Sequence, residues 1–351
     1  MDFLNDTYDI QTTSPPRVWE DKFPLVASTL FSMEVVTNTI SAFGCVGNIF
    51  IMIIVSHWDK LTSGGACMFS LALADFLSVF YDAFIDSLPK LIGYGLVSAN
   101  SPICAISTMI SWVTSYSSFY ITVLFSLDKC IAVVFPFKYK QYAKPKLIVF
   151  ATLLIYFCET VYALPVLFVV RLHEVADFCY PVSFKYISRS YYVDFKPRLT
   201  TVLNGFVPVC LVLILTTITI IKIRRSSANV KSERSRTSVS RRDNEITRQM
   251  IVVGIFFGFF NMIASLCIRF LFRRRIRSLK DQAKYQFVQG VISICIALIN
   301  SANFYLYMIF GKTFRANFVS FVKRQKEDFL AKDTRTNHAM TERNKNAEEK
   351  N

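Results

Sequence analysis

The stretch YQFVQGVISICIALINSANFYLYMIF, Tyr285–Phe310, decides the fold. Its 26 residues carry no charged side chain, while a helix needs only about 20 apolar residues to cross about 30 Å of hydrocarbon. A helix of that length on a soluble protein would carry charged residues on its solvent face, and this one carries none. Its second half nevertheless holds Asn300, Ser301 and Asn303. Amide and hydroxyl groups in lipid need partners, so this helix predicts neighbours that turn polar groups toward it.

Six further blocks of similar length precede it. They are Val35–Val55, Cys67–Leu88, Ile103–Leu127, Leu147–Val170, Leu199–Ile221 and Met250–Ile268. The second is interrupted by Asp75, Asp82 and Asp86, and the fourth by Glu159. A charge at mid-membrane costs about 2.5–3.5 kcal/mol on insertion scales, which makes these acids functional candidates. The joining segments are too short for a soluble domain. The fold class is therefore an all-α integral membrane protein, a seven-transmembrane helix bundle.

Composition agrees. The chain is 53% hydrophobic, and its net charge of +15 gathers between the apolar blocks and near the end. Lys138, Lys140, Lys144 and Lys146, then Lys222, Arg224 and Arg225, then Lys312, Arg315, Lys323 and Arg324 mark the inner side. By the positive-inside rule the N-terminus is outside and the C-terminus inside, with membrane lipids as partners. No soluble basic domain exists to bind nucleic acid. The run Arg269, Arg273, Arg274, Arg275, Arg277, Lys280 and Lys284 falls outside on this topology. It reads either as arginines snorkelling to lipid phosphates or as a mouth that attracts an acidic ligand.

The acidic first 25 residues lack the apolar core of a cleavable signal peptide. Asn5-Asp6-Thr7 is a glycosylation sequon on the outer side. None of the nine cysteines forms a Cys-x-x-Cys pair, so zinc and dithiol-redox sites are not expected. Most lie inside apolar blocks, and Cys104 and Cys179 stand apart. The three histidines fall outside the spans, and no nucleotide loop, zinc-protease motif or nucleophile elbow occurs. The chain does not read as an enzyme.

Gly47-Asn48, Leu71-Ala72-x-Ala74-Asp75, Cys104, Asp128-Lys129-Cys130 and Asn303-Phe304-x-x-Tyr307 resemble, in order and spacing, the successive signatures of rhodopsin-like (class A) G-protein-coupled receptors. Pro136-Phe137, Pro165, Pro208 and Phe257 fall where that family has corresponding residues, and Phe314-Arg315 where its short amphipathic eighth helix begins. The resemblance covers about residues 30–325. It implies residues 1–30 as an extracellular tail, 31–325 as the receptor domain and 326–351 as a disordered cytoplasmic tail, in the plasma membrane.

The resemblance also implies roles. Cys104 and Cys179 would form the outer disulfide. Asp75, Ser118 and Asn303, joined by Asn300, match the family's allosteric sodium pocket, and no other cofactor is expected. Asp128, Lys129, Glu245, Asn303 and Tyr307 would serve activation and coupling to a heterotrimeric G protein, with Glu245 as a partner for Lys129. A pocket on Trp112, Tyr116, Glu159, Asn204, Arg269 and Gln289, with Tyr162 nearby, would receive an extracellular peptide or small molecule.

Departures are as informative. Lys129 replaces the family's arginine and loses its planar fork. Phe304 replaces a proline, so the seventh helix loses its usual kink source. Phe260-Asn261-Met262-Ile263 stands where the family has Cys-Trp-x-Pro, and Thr216 where it has tyrosine. Such losses resemble a divergent invertebrate-type receptor. Amine receptors carry an aspartate where this chain has Ser111, and opsins a lysine where it has Ala297. Both classes are disfavoured, leaving neuropeptide and chemosensory ligands. Asp82 and Asp86, one turn apart, either meet a basic ligand group or cap the helix exit. A non-signalling seven-span protein and a transporter remain as rival readings, though no internal repeat supports the transporter.

Overall fold

The computed structural model describes residues 24–58, 61–91, 100–173, 178–181, 195–228, 251–268, 279–312, 314–324 and 327. Helix α1 is Pro24–Ser56, and α2 is Ser63–Phe80, continued by Tyr81–Ser87 and Leu88–Leu91. Helix α3 is Ser101–Val134, α4 Pro145–Ala163, and α5 begins at Lys196 and ends at Ala228. Helix α6 is Ile251–Ile268. Helix α7 consists of Leu279–Ser301 and Asn303–Phe310, and α8 covers 314–324. All seven expected spans are present, the seventh as a bent pair of helices.

Polarity is inverted relative to a soluble protein. Phe43 is 60% exposed and Phe157 65%, both on outward faces, while Asp75, Asn48 and Asn300 are fully buried. Outward apolar and inward polar surfaces are what lipid as solvent requires. α3 lies at the centre and packs against α2, α4 and α5, while α1 closes the ring between α2 and α7.

Local chemistry sets the helix ends. The Asn100 side chain accepts the Ile103 N–H at 3.0 Å, and Thr62 accepts the Gly65 N–H at 3.1 Å; both are N-caps. α3 stops at Phe135, which precedes Pro136 and leaves the helical region with φ −129° and ψ 61°, as the clash with the following proline ring disfavours the α conformation there. Pro136 then starts the short helix Pro136–Tyr142, which folds back beneath α3.

Two spans contain wide π turns that sequence periodicity did not announce. One is Tyr81–Ser87 in α2, ahead of Pro89, and the other is Thr201–Phe206 in α5, ahead of Pro208. A proline lacks an N–H and crowds the carbonyl four residues back, so the preceding turn loosens to i→i+5 bonding. Between α4 and α5 the strands β1 (Val170–His173) and β2 (Phe178–Pro181) form an antiparallel hairpin against α3, with Cys179 opposite Leu172. The hairpin is a further element that helical periodicity does not reveal.

α7 bends by 46° at Ala302 although no proline is there. At the level of the bend a side chain from another helix takes a backbone acceptor: Asn48 Nδ2 donates to the Asn300 carbonyl at 2.9 Å. A carbonyl drawn out of the i→i−4 ladder is a recognised cause of a helix break. Gly44 lets α1 approach at the same level, because a Cβ there would collide with the Ser301 hydroxyl. α6, which lacks the family's proline, runs unbroken over Ile251–Ile268.

Candidate functional site

A polar seam joins α2 to α3. Ser118 donates to Asp75 Oδ1 on the side facing α3, while Asn303 Nδ2 of α7 donates to Asp75 Oδ2 at 2.7 Å. One turn outward, Ser78 and Ser115 share a hydrogen bond of 3.0 Å, and Asn300 Nδ2 donates to Ser78 at 2.8 Å. Further out, Ser111 donates to Asp82 Oδ1 at 3.1 Å, and Tyr81 bonds to Ser107. Residues 107, 111, 115 and 118 recur at three and four, the spacing of one helix face. Asp75, Ser118, Asn300 and Asn303, singled out from the sequence, are thus brought together.

The outer half holds most of the expected ligand residues. Trp112 and Tyr116 are half-buried on α3, with ring centroids 6.2 Å apart. The aromatic file continues through Tyr116–Phe119 at 6.1 Å to Phe119–Phe257 at 5.7 Å, reaching α6. Glu159 of α4 and Asn204 of α5 are buried side by side. Glu159 Oε2 and Asn204 Nδ2 have no hydrogen-bond partner among the described residues. Gln289 is exposed on α7. Arg269 and Asn5 lie outside the described residues.

Lys196 was missed by sequence reasoning. It is 2% exposed, with its ammonium 5.1 Å from the Trp112 ring centroid and 5.3 Å from that of Tyr162. Burial pushes its pKa down from 10.5 to about 8. The Tyr162 hydroxyl bonds Thr200 at 2.6 Å and fixes the same corner. In the sequence Lys196 is one charge before an apolar block, and no motif aims it at α3. Cys104 is fully buried and disulfide-bonded. The side chain of Cys179, its expected partner, lies outside the described residues.

At the inner end Asp128 collects donors. Ser63 of α2 donates to Asp128 Oδ1 at 2.6 Å, and the Tyr139 hydroxyl donates to its oxygens at 3.1 and 3.2 Å. Burial, then the Asp128 charge, raises the Tyr139 pKa. The Lys129 ammonium lies 3.9 Å from Asp128 Oδ2 and 5.0 Å from the Phe125 ring centroid. It fits there because position 64 is glycine; a Cβ would stand 2.6 Å from the ammonium. Glu245 lies outside the described residues. Tyr307 is buried against Phe125 and Phe314. Arg315 donates to the Met308 and Ile309 carbonyls at 2.9 and 2.7 Å, tying α8 to the end of α7.

Residues 47–305 match the 7 transmembrane receptor (rhodopsin family). The chain belongs to that family. Among its relatives are the type-1 angiotensin II receptors of Meleagris gallopavo and Gallus gallus, each 24% identical over 299 residues. These alignments span 82% of this chain and 79% of theirs. The type-1 angiotensin II receptor A of Xenopus laevis is 24% identical over 302 residues, spanning 83% and 79%. This rhodopsin-family receptor is a multi-pass membrane protein of the G-protein-coupled class. Its departures sit at known heights of the bundle. Asn261 stands buried in α6, its Oδ1 accepting from Ser265 at 3.3 Å and its Nδ2 without a partner among the described residues.

Proposed function

We propose that this receptor lies in the plasma membrane with its N-terminus outside and passes the binding of an extracellular ligand, a neuropeptide, to a heterotrimeric G protein. The observation that carries this reading is α3 itself. One rigid helix presents Trp112 and Tyr116 at its outer end, Ser115 and Ser118 in the middle, and Asp128 with Lys129 at its inner end. A ligand that prefers one arrangement of the outer cleft biases the polar seam and, through it, the inner network. Moving the population from 1:99 to 99:1 takes about 5.5 kcal/mol of differential affinity. The relatives named as angiotensin II receptors favour a peptide over a small chemosensory ligand. The remaining cysteine, Cys179, is the partner that Cys104 would take in an oxidising exterior.

The donor set around Asp75 fits a sodium ion. A carboxylate, the Ser118 hydroxyl and the Asn300 amide oxygen, 3.5 Å from Ser118, are the hard oxygen ligands such a cation takes. Asn303 presents its Nδ2 to Asp75, so its amide would have to turn before its oxygen could join.

The test is G-protein activation in cells expressing the chain, against a peptide library, with Lys129→Ala and Asp128→Asn. Ligand-driven nucleotide exchange that falls with both changes supports coupling through the inner network. Activation indifferent to both, at equal surface expression, would sink it.

A further inference from the structure

We propose that Glu159 anchors a second ligand, a small amphiphilic amine, in a groove between α4 and α5 that opens to the membrane rather than to the outer mouth. This site is separate from the ligand cleft of the receptor reading above and goes beyond it. The sequence groups Glu159 with Trp112 and Tyr116 as one pocket, and the tertiary structure separates them. α4 packs against α2 and α3, whereas its backbone makes no comparable contact with α5. Two helices that converge on α3 without closing on each other leave a groove facing lipid.

Side chains bridge that groove at two levels. At the outer level the Tyr162 hydroxyl of α4 bonds Thr200 of α5 at 2.6 Å. One turn toward the inside, three residues back along α4 and four residues on along α5, stand Glu159 and Asn204. The Tyr162–Thr200 bond therefore lies between this pair and the outer corner, where the Lys196 ammonium stands over the Trp112 ring. Half-buried Tyr120 of α3 lies near Glu159, and its hydroxyl donates to the Leu203 carbonyl in the π turn Thr201–Phe206 at 2.8 Å. Cys158, next to Glu159, is exposed, and Leu203, next to Asn204, is half-buried, so lipid reaches both walls.

Glu159 is 8% exposed, and its Oε2 has no hydrogen-bond partner among the described residues. The neighbour on α5 is the Asn204 amide, a neutral group, and no basic side chain among the described residues forms an ion pair with Glu159. An acid at this depth is costly to keep, and a cation is what offsets it. A neutral amine arriving through hydrocarbon takes the proton of the Glu159 carboxyl. The O–H bond breaks as the N–H bond forms, and an ammonium–carboxylate pair results. An amine that arrives charged meets the carboxylate directly. Both routes end in the same pair and need no further reactant. A charge-assisted bond in a dry site is strong, and the lipid-facing walls require the rest of the ligand to be apolar.

The experiment uses the full-length receptor in phosphatidylcholine nanodiscs, without G protein, and two photoreactive probes of equal length. These are an alkyl-diazirine primary amine and the corresponding alcohol. Labelled peptides are located by mass spectrometry and normalised to labelling of the lipid. In the unmodified receptor the amine is expected to label the α4 and α5 segments around Glu159 and Asn204 at least about tenfold more than the alcohol, because a hydrogen bond to a charged group is stronger than one to a neutral group. Glu159→Gln should remove the preference at an unchanged thermal midpoint. The comparison of the two probes in the unmodified receptor needs no variant. Equal labelling by both probes, amine labelling at Trp112 and Tyr116 in place of α4 and α5, or a preference that survives Glu159→Gln overturns the proposal. Since neither G protein nor outer ligand is present, such a failure leaves the coupling reading to its own assay.

Discussion

The Asn48 amide of α1 donates to the backbone carbonyl of Asn300 in α7 at 2.9 Å, and the helix breaks there by 46° without a proline. A buried carbonyl left without its donor costs about 1–3 kcal/mol. Asn48→Leu is therefore expected to lower the thermal midpoint of the purified receptor. Distance measurements between spin labels on the two ends of α7 should show a straighter helix. An unchanged bend in that variant would assign the break to the Ala302 backbone alone.

Asp128 is held by Ser63 and Tyr139 rather than by α6 residues among those described. Tyr139→Phe and Ser63→Ala each remove one donor to a charged group, worth about 1.5–3 kcal/mol. Basal G-protein activation is expected to rise in each and further in the pair. A double-mutant cycle measured by nucleotide exchange checks whether the two act on one carboxylate. Strict additivity would mean that they do not share it.

Gly64 leaves the space in which Lys129 rests, since a Cβ would sit 2.6 Å from the ammonium. Gly64→Ala should move the lysine away from Asp128 and raise basal activation without loss of surface expression. Gly44→Val should act differently. It overpacks α1 against Ser301 of α7 and should cost about 1–3 kcal/mol, seen as reduced thermal stability and expression.

Lys196 gives the expected pH dependence. Its pKa in the fold, about 8, lies below the unfolded value of 10.5 because burial disfavours the charged form. Between those values the unfolded chain holds more protons than the folded one, so stability should rise with pH across that window. Below about 8 both states are protonated and the contribution is constant. The difference in thermal midpoint between the wild type and Lys196→Met should therefore shift between pH 8 and 10 in favour of the wild type. A difference independent of pH would show that Lys196 does not titrate in this range.

The sequence by itself determined the seven spans, because length and apolarity are local properties that lipid reads directly. It also determined which polar residues had to face inward: with no water in hydrocarbon, Asp75, Asn48, Asn300 and Asn303 had to find one another. Tertiary structure alone decided the pairings that cross between helices. Ser111 meets Asp82 and Lys196 meets the Trp112 ring because π turns and helix register set where side chains point, and neither leaves a periodic trace. The bend in α7 belongs to the same class. The hydrogen bond at its level reaches 252 residues across the chain, from α1, where no reading of Phe304 could find it.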